Sequence, residues 1–248
     1  MQEAIDAEFF ARSTPLIGAE GVQRLKLARV AVFGLGGVGS YTVEALARAG
    51  VGTLYLIDGD TISPSNLNRQ LFALHSTLGL AKTAAAAQRI ADINPRCTVH
   101  QHFQRVLPDE EGRLPFLDFL SSVDFMIDAV DTLALKVALA KEAAVRAVPL
   151  IAAMGCGNKL NPLRFQFADI YETSVCPLCK KMRNALKKAH IPHLRVLYSQ
   201  EVPNVQLRPP ASVSWVPSVA GMLIAAEVLQ QLIHTTAVPK ETMQAHLP

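Results

Sequence analysis

Short apolar runs rich in β-branched residues alternate with alanine-rich stretches along much of the chain. The runs have the length of strands, and the stretches between them repeat apolar residues with the period of a helix. Strands are predicted at 29–34, 53–58, 98–103, 123–130 and 149–155, and helices at 38–50, 81–95 and 133–147. Because the strands are apolar at nearly every position, the succession predicts a parallel sheet that is covered by helices on both faces.

The pattern changes after residue 156. "RFQFADIYE" alternates and predicts an added strand, "RVLYSQE" predicts another, and "CPLCKKMRNALKKAH" predicts a basic helix between them. A proline-rich loop then precedes a final helix at 218–233. The predicted fold is α/β, Rossmann-like and doubly wound, with a mostly parallel sheet and a C-terminal extension of added strands and helices. We expect a single domain whose N-terminal helical arm, core and extension lie at 1–28, 29–155 and 156–248.

The composition excludes a disordered chain, because 50% of the 248 residues are hydrophobic and only 18% are charged. The net charge of +3 is compatible with a nucleic-acid partner without requiring one. The N-terminus is acidic early and lacks the apolar segment of a signal peptide. The stretch "SVAGMLIAAEVLQQLI" carries Glu227, so it predicts a buried helix and no membrane span. Four cysteines do not make a disulfide framework in this chain, so we expect a cytoplasmic protein.

A glycine-rich turn, "FGLGGVGS", follows the first predicted strand and opens the first helix of the core. Gly34, Gly36 and Gly39 match G-x-G-x-x-G, and Gly37 adds a fourth glycine. These glycines allow a tight turn and close approach of backbone N–H groups to phosphate. Asp58 ends the second strand, where an acidic side chain reaches a ribose hydroxyl. The combination predicts a nucleotide site, with a tight turn that holds no ligand as the alternative.

Polar and basic residues after the second strand favour a triphosphate over a dinucleotide. Asn66, Asn68, Arg69 and Gln70 follow Asp58 closely, and Lys82 begins the next helix. An arginine and a lysine at this crevice can neutralise the charge of a departing pyrophosphate. Asp131 follows the fourth strand, where a carboxylate can hold Mg²⁺ against the phosphates. Ordinary surface charge is the alternative for the two cations, and an N-cap of the next helix is the alternative for the carboxylate.

Five motifs in this order resemble the ThiF/MoeB branch of the ubiquitin-activating-enzyme superfamily: G-x-G-G-x-G, L-I-D-x-D, N-L-x-R-Q, G-x-x-K and D-x-x-D. The resemblance runs from "ARSTPLIG" through "AAMGCG". It implies an adenylating domain that activates a carboxylate with ATP and Mg²⁺. It also implies a homodimer in which Arg12 reaches the partner's ATP. The implied nucleotide contacts are Gly34, Gly36, Gly37, Gly39, Asp58, Asn66, Arg69, Gln70 and Lys82, with Asp131 on the metal, and the implied catalytic residues are Arg12, Arg69, Lys82 and Asp131.

Cys176 and Cys179 form the sequence's one C-x-x-C pair. Family members that activate ubiquitin-like sulfur carriers often have two such pairs around a structural zinc. His190 and His193 follow, but their spacing falls short of the usual finger pattern, so we expect no zinc site. Two alternatives stay open for Cys176: a sulfur acceptor from a cysteine desulfurase, or an unreactive residue.

The C-terminal extension resembles a different group of enzymes from those that activate ubiquitin-like sulfur carriers. "ADIYETSVCPLCKKMRNALKK" and "SVSWVPSVAGMLIAAEVL" are similar to the tRNA threonylcarbamoyladenosine dehydratases. That family activates the threonyl carboxylate of a modified adenosine beside the tRNA anticodon, and the neighbouring carbamoyl group closes a ring as AMP leaves. A run of cations without Asp or Glu suits an RNA phosphate backbone, with a solvated helix face as the alternative. The RNA-contacting residues that we predict are Lys180, Lys181, Arg183, Lys187 and Lys188.

Three other functions compete with the dehydratase interpretation. The nearest is adenylation of the C-terminal glycine of a ubiquitin-like sulfur carrier, against which the missing second C-x-x-C pair argues. A non-catalytic nucleotide sensor would not need Arg69, Lys82 and Asp131 together. An NAD dehydrogenase would need a His or Tyr at a hydride-transfer position, and the sequence offers no obvious one.

Overall fold

The computed structural model describes residues 8–114, 117–203, 205 and 207–234. These residues form a seven-stranded sheet in the order β3-β2-β1-β4-β5-β7-β6. In chain order the strands are β1 (Arg29–Phe33), β2 (Thr53–Ile57), β3 (Thr98–His102), β4 (Phe125–Asp128), β5 (Leu150–Ala153), β6 (Phe165–Asp169) and β7 (Arg195–Ser199). Every neighbouring pair is parallel except β6 and β7. The predicted doubly wound, mostly parallel sheet is therefore confirmed.

Helices cover both faces of this sheet. They are α1 (Thr14–Leu27), α2 (Gly39–Ala49), α3 (Lys82–Ile93), α4 (Leu133–Arg146), α5 (Pro177–Lys188) and α6 (Trp215–His234). Side chains of one strand alternate between the faces. Thus Val30 and Val32 pack with α1, α2, α3 and α6, whereas Ala31 and Phe33 pack on the other face with α4 and α5. The two apolar layers explain why the central strands are apolar at consecutive positions.

The strand order reverses between β1 and β4. The chain runs outward through β2 and β3 on one side and through β5 and β7 on the other. In open α/β sheets, the crevice at the carboxyl ends of the two strands beside such a reversal is where ligands bind. Here that crevice lies between the loop after β1, which contains the four glycines, and the loop after β4, which contains Asp131.

Helix boundaries differ from the sequence prediction at two prolines. Helix α3 ends at Ile93 and not at residue 95, because the residue before Pro95 is disfavoured in the helical conformation. Helix α6 begins at Trp215, three residues before the predicted start at 218. Pro217 lies in its first turn, where a missing N–H group costs no intrahelical hydrogen bond. The prediction placed the start too late because it treated this proline as part of the loop.

The extension builds one edge of the sheet. Strand β7 pairs in parallel with β5, and β6 pairs antiparallel with β7, with Phe167 opposite Leu197. The added strands and the basic helix α5 were predicted, and the structure confirms them. Their order was not predicted: the later strand, β7, lies inside, and the earlier strand, β6, forms the edge.

Helix α6 has the length and mean hydropathy of a membrane-spanning helix. In this structure it packs against α1 and α2, and Gly221 allows this close approach. A Cβ atom at Gly221 would lie 2.3 Å from the carbonyl oxygen of Val38. The hydroxyl of Thr42 also donates a hydrogen bond of 3.0 Å to the Gly221 carbonyl. The last long helix is therefore held directly against the helix that follows the glycine turn.

Candidate functional site

The glycine turn between β1 and α2 is too close to its neighbours for side chains at two of its positions. Gly34 has a φ of +87°, and a Cβ atom there would lie 2.8 Å from the carbonyl oxygen of Ala129. A Cβ atom at Gly39 would lie 1.8 Å from the Gly34 carbonyl oxygen. No side chain caps the amino end of α2. The backbone N–H groups at this helix end can therefore hold an anion.

Asp58 fixes the position of this turn. One carboxylate oxygen accepts a hydrogen bond of 2.7 Å from the backbone N–H of Leu35, and the other accepts one of 2.8 Å from the N–H of Asp60. Because Leu35 lies within the glycine turn, the acid that ends β2 is tied to the loop that ends β1. Sequence analysis placed Asp58 on the ribose, and the structure puts it at the same carboxyl edge of the sheet as the glycine turn.

Lys82 lies beside Asp58 at the first position of α3. Its Nζ is 2.9 Å from Asp60 Oδ2 and 3.8 Å from Asp58 Oδ2. The side chains of Lys82 and Asp58 are each 8% exposed, whereas that of Asp60 is 53% exposed. The hydrogen bond from Lys82 lowers the pKa of Asp60, against the smaller opposing effect of burial. A largely buried ammonium group is thus held at the site by two carboxylates, one of them open to solvent.

Arg69 and Gln70 lie against the middle of the glycine turn. A Cβ atom at Gly37 would be 3.4 Å from Arg69 Cγ, and one at Gly36 would be 3.8 Å from Gln70 Nε2. The Arg69 guanidinium donates hydrogen bonds of 2.9 Å to the carbonyl oxygen of Ser65 and to the side chain of Asn68. Arg69 and Gln70 therefore contact the glycine turn directly. Lys82 is connected to the turn through Asp58, which contacts both.

The two asparagines of this segment shape the backbone. The side-chain oxygen of Asn66 accepts a hydrogen bond of 3.1 Å from the N–H of Ser63. The side-chain nitrogen of Asn68 donates one of 3.0 Å to the carbonyl oxygen of Ser212. The first contact organises the short turn before Arg69, and the second connects that turn to the loop that precedes α6.

Asp131 lies in the loop between β4 and α4. The first residue of this loop, Ala129, packs against Gly34. The Asp131 side chain is exposed and accepts a hydrogen bond of 3.3 Å from the hydroxyl of Thr132. The N-cap residue of α4 is Thr132, and no side chain caps that helix. The alternative that Asp131 serves as the helix N-cap is therefore wrong.

A buried ion pair under this loop was missed by the sequence analysis. Lys136 on α4 places Nζ 3.0 Å from both carboxylate oxygens of Asp128 and 2.7 Å from the carbonyl oxygen of Ala153. Burial raises the pKa of Asp128, and the charge of Lys136 opposes that effect. The available signal was a lysine at an inward position of an otherwise apolar helix face, four residues before Ala140.

The start of α6 also contributes to the site, and the sequence analysis did not expect it. A Cβ atom at Gly37 would lie 3.0 Å from Pro217 Cβ. The side-chain nitrogen of Trp215 donates a hydrogen bond of 2.8 Å to the carbonyl oxygen of Leu160. The first turn of α6 is thus fixed between the glycine turn and the extension.

Helix α5 carries the predicted RNA-contacting cations. The lysines at 180, 181, 187 and 188 are exposed. Arg183 differs from them, because it is half-buried and donates a hydrogen bond of 2.9 Å to the carbonyl oxygen of Thr173. Lys187 Nζ lies 5.9 Å from the ring centre of Tyr171. The helix thus presents four exposed lysines, while its arginine fixes the segment before it.

Arg12 is exposed in the segment before α1. The same segment packs on the protein through Phe10, whose ring occupies the space where a Cβ atom of Gly50 would lie. Lys26 Nζ is 4.7 Å from the centre of that ring. Phe10 therefore holds the backbone near Arg12 against the protein, while the Arg12 side chain is exposed to solvent.

The two cysteines of the C-x-x-C pair are buried at the amino end of α5, with Cys176 as its N-cap residue. Within the described residues, no group of three or more His, Cys, Asp or Glu side chains could hold a metal ion. The expectation that zinc is not bound stays a prediction.

The fold and the glycine turn, with Asp58, Lys82 and Arg69 around it, define an adenylating α/β domain. The chain belongs to the ThiF family, whose description matches residues 10–247.

Two relatives, one of them in two crystal structures, resemble nearly the whole chain. It is 42% identical over 243 residues to the tRNA threonylcarbamoyladenosine dehydratase of Bacillus subtilis, covering 90% of this chain and 94% of that protein. The crystal structure of E. coli tRNA N6-threonylcarbamoyladenosine dehydratase, TcdA, in complex with AMP matches with a TM-score of 0.84 and 30% identity, covering 92% of this chain and 95% of that one. The same enzyme in complex with ATP matches with a TM-score of 0.83 and 29% identity, covering 97% of both chains.

Proposed function

We propose that this protein is an ATP-dependent tRNA threonylcarbamoyladenosine dehydratase. It adenylates the threonyl carboxylate of the modified adenosine beside the anticodon and promotes the cyclisation of that nucleoside. The observation that carries the proposal is the set of contacts around the glycine turn: Asp58 accepts a hydrogen bond from the turn and lies 3.8 Å from Lys82 Nζ, while Arg69 lies against Gly37. The relatives that match nearly the whole chain share this activity in their names.

ATP would bind with its phosphates at the amino end of α2, where backbone N–H groups are not capped by a side chain. Asp58 would contact the ribose, and Gln70, beside Gly36, would flank the phosphates. Asn66 would act by holding the turn that presents Arg69. Lys82 already has its charge beside this site, and a phosphate oxygen can replace the Asp60 carboxylate as its partner, because the Asp60 side chain is 53% exposed and can be solvated instead.

The residues present fit Mg²⁺. This ion takes one or two protein carboxylates and completes its shell with phosphate oxygens and water, so an exposed Asp131 in the loop beside Gly34 is a suitable ligand. When bound, Mg²⁺ would screen the negative charge of the phosphates.

The chemistry requires positioning and charge, and no covalent intermediate on the protein. The threonyl carboxylate attacks the α-phosphorus and pyrophosphate leaves, which forms an acyl-adenylate. Arg69 and Lys82 neutralise the charge that builds on the leaving oxygens, and they do so from positions fixed before ATP arrives. The carbamoyl group next to the activated carbonyl then closes the ring and expels AMP, with a net loss of water from the nucleoside.

The tRNA would lie across α5, because its four exposed lysines suit a phosphate backbone. The amino end of this helix adjoins the loop after β5, since a Cβ atom at Gly155 would lie 3.7 Å from Cys176 Sγ. That loop lies at the carboxyl edge of the sheet, which is also the edge of the nucleotide site. Lys180 and Lys181 are nearer to this end of α5, and Lys187 and Lys188 are farther along it.

The proposal includes a homodimer in which Arg12 reaches the ATP of the neighbouring subunit. Each subunit is a single adenylating domain with an N-terminal arm, a nucleotide-binding core and a substrate-binding extension, and the protein works in the cytoplasm. The tRNA reaction consumes no sulfur, so a partnership with a cysteine desulfurase is not required by it and stays a separate prediction that depends on Cys176.

A pyrophosphate-release assay separates the proposal from its rivals. We expect ATP turnover when the protein is given tRNA that carries threonylcarbamoyladenosine, and none with the same transcript without the modification. Turnover with a ubiquitin-like carrier but not with the modified tRNA would instead establish the sulfur-carrier alternative. Binding of ATP without turnover on either substrate would instead support the alternative that the protein is a non-catalytic nucleotide sensor.

A further inference from the structure

The C-x-x-C pair occupies the first turn of α5 with two different environments. Cys176 is the N-cap residue, has extended backbone angles and keeps 4% exposure, whereas Cys179 lies within the first turn and is 0% exposed. Val175, just before the pair, has a φ of 59°, a strained value for a β-branched residue. A strained residue therefore leads into two adjacent buried cysteines, of which Cys176 is the outer one.

The surroundings of Cys176 favour its thiolate. The neighbouring Cys179 thiol lowers the pKa of Cys176, and so do the backbone N–H groups of Cys179, Gly155 and Leu178, while burial opposes the shift. The same pairing and burial raise the pKa of Cys179. Cys97 provides a contrast, because burial raises its pKa to about 12 although one backbone hydrogen bond from Leu54 opposes that shift. Of the two thiols, the outer one on Cys176 is therefore the one that gives up its proton more readily.

We propose that Cys176 and Cys179 form a dithiol–disulfide exchange site that takes small disulfides as substrates. The Cys176 thiolate attacks one sulfur of the disulfide, and one thiolate leaves. Cys179 then loses its proton to that leaving thiolate and attacks the Cys176 sulfur, which releases the second thiolate. The second thiolate then takes a proton from water, which replaces the one that Cys176 gave up when it ionised. In sum, the protein gains one disulfide bond and loses two hydrogen atoms, while the small disulfide is reduced to two thiols. This division of roles, with an outer attacking thiol and an inner resolving thiol, is the one that C-x-x-C motifs at helix amino ends support.

Oxidation of the cysteine pair would affect the loop after β5, which lies next to it. The sulfur of Cys176 faces Gly155, in the loop after β5, where a Cβ atom would lie 3.7 Å from it. Two residues beyond Cys156, Asn158 exchanges hydrogen bonds of 2.7 and 2.9 Å with Ala211. A neutral disulfide would no longer offer negative charge to the Gly155 N–H, so this loop would lose one of its anchors.

The test uses the full-length protein incubated with oxidised glutathione, with free thiols then blocked and peptides analysed by mass spectrometry. We expect a disulfide between Cys176 and Cys179 on one peptide. The Cys179→Ser variant should accumulate glutathione on Cys176, because no thiol remains to resolve the mixed disulfide. The Cys176→Ser variant should gain no glutathione on Cys179.

Alkylation of the parent protein tests the same site without any substitution. At pH 6 we expect Cys176 to react with iodoacetamide about tenfold faster than Cys97, since only the thiolate is the nucleophile. Cys97→Ser is the matched control and should leave disulfide formation unchanged. Formation of no Cys176–Cys179 disulfide, together with alkylation of Cys176 no faster than that of Cys97, would overturn the proposal.

Discussion

Lys136 and Asp128 form an ion pair with both side chains fully buried, 0% exposed, beneath the loop that carries Asp131. The Lys136 ammonium group also donates to the carbonyl oxygen of Ala153, so one side chain connects α4 with the ends of β4 and β5. Asp128 in turn accepts a hydrogen bond of 3.1 Å from the N–H of Val130. The pair therefore fixes the backbone from which Asp131 extends.

Replacing Lys136 with methionine should destabilise the protein strongly. The substitution leaves Asp128 buried without a partner, and loss of one partner of a buried pair costs about 3–5 kcal/mol in free energy of unfolding. Because burial already raises the pKa of Asp128, the carboxyl can take up a proton instead of staying ionised. A raised native pKa gives stability that is present at low pH and lost as pH rises, so the destabilisation should be larger at pH 8 than at pH 5. Urea unfolding at both pH values measures it.

Lys141→Met is the matched control for this prediction, because Lys141 lies on the same helix and is half-exposed. It should change the free energy of unfolding by less than about 0.5 kcal/mol. The pair would be of minor importance if Lys136→Met were no more destabilising than Lys141→Met.

Asp131→Asn should depress turnover while leaving the binding of tRNA nearly unchanged. The substitution removes one negative charge where we place the metal and phosphates, and a loss of about 3 kcal/mol in transition-state stabilisation corresponds to roughly a hundredfold lower rate. Asp92→Asn, at an exposed position on α3, is the control and should turn over like the parent. Normal turnover of Asp131→Asn in the pyrophosphate assay would remove Asp131 from the chemistry.

Replacing both Lys187 and Lys188 with alanine should weaken tRNA binding and make it less dependent on salt. Each lost phosphate contact lowers the slope of log affinity against log salt by about one, so the double variant should lose about one to two units. ATP binding without RNA should not change. Lys26→Ala is a suitable control, because Lys26 also lies over an aromatic ring, on the distant helix α1. Equal tRNA affinity of the parent and the double variant at every salt concentration would show that α5 is only a solvated face.

Two inactive variants should restore activity to each other if Arg12 serves the neighbouring subunit. In a mixture of Arg12→Ala and Asp131→Ala chains, a hybrid dimer has one site with both residues intact. With free exchange of subunits, half of the dimers are hybrids, so roughly a quarter of the parent's sites recover. Either variant alone provides the baseline. No recovery after hybrid dimers have been isolated would exclude a site shared between subunits.

The sequence predicted those parts of the fold that depend on local pattern. Period and length located the core strands, and the glycines identified the turn, because close packing of Gly34 on Ala129 and of Gly39 on Gly34 excludes side chains there. The order of the added strands, with β7 between β5 and β6, was not predicted. The sequence of an added strand does not show which neighbouring strand it pairs with.

The contacts that the sequence did not reveal join segments distant along the chain. Lys82 follows Asp60 by 22 residues, and Ala153 follows Lys136 by 17, so no periodicity within one element relates them. Pro217 meets Gly37 from the other end of the chain. The indirect signal was a charged residue on an inward helix face, which requires a buried partner without identifying it.

The nucleoside product tests the central claim most directly. The protein is incubated with ATP, Mg²⁺ and total tRNA, the tRNA is digested to nucleosides, and the masses of the nucleosides are measured. We predict that threonylcarbamoyladenosine disappears and that a nucleoside lighter by one water molecule replaces it, in amounts that match the AMP released. Threonylcarbamoyladenosine that persists unchanged, while the protein is folded and binds ATP, would contradict the account.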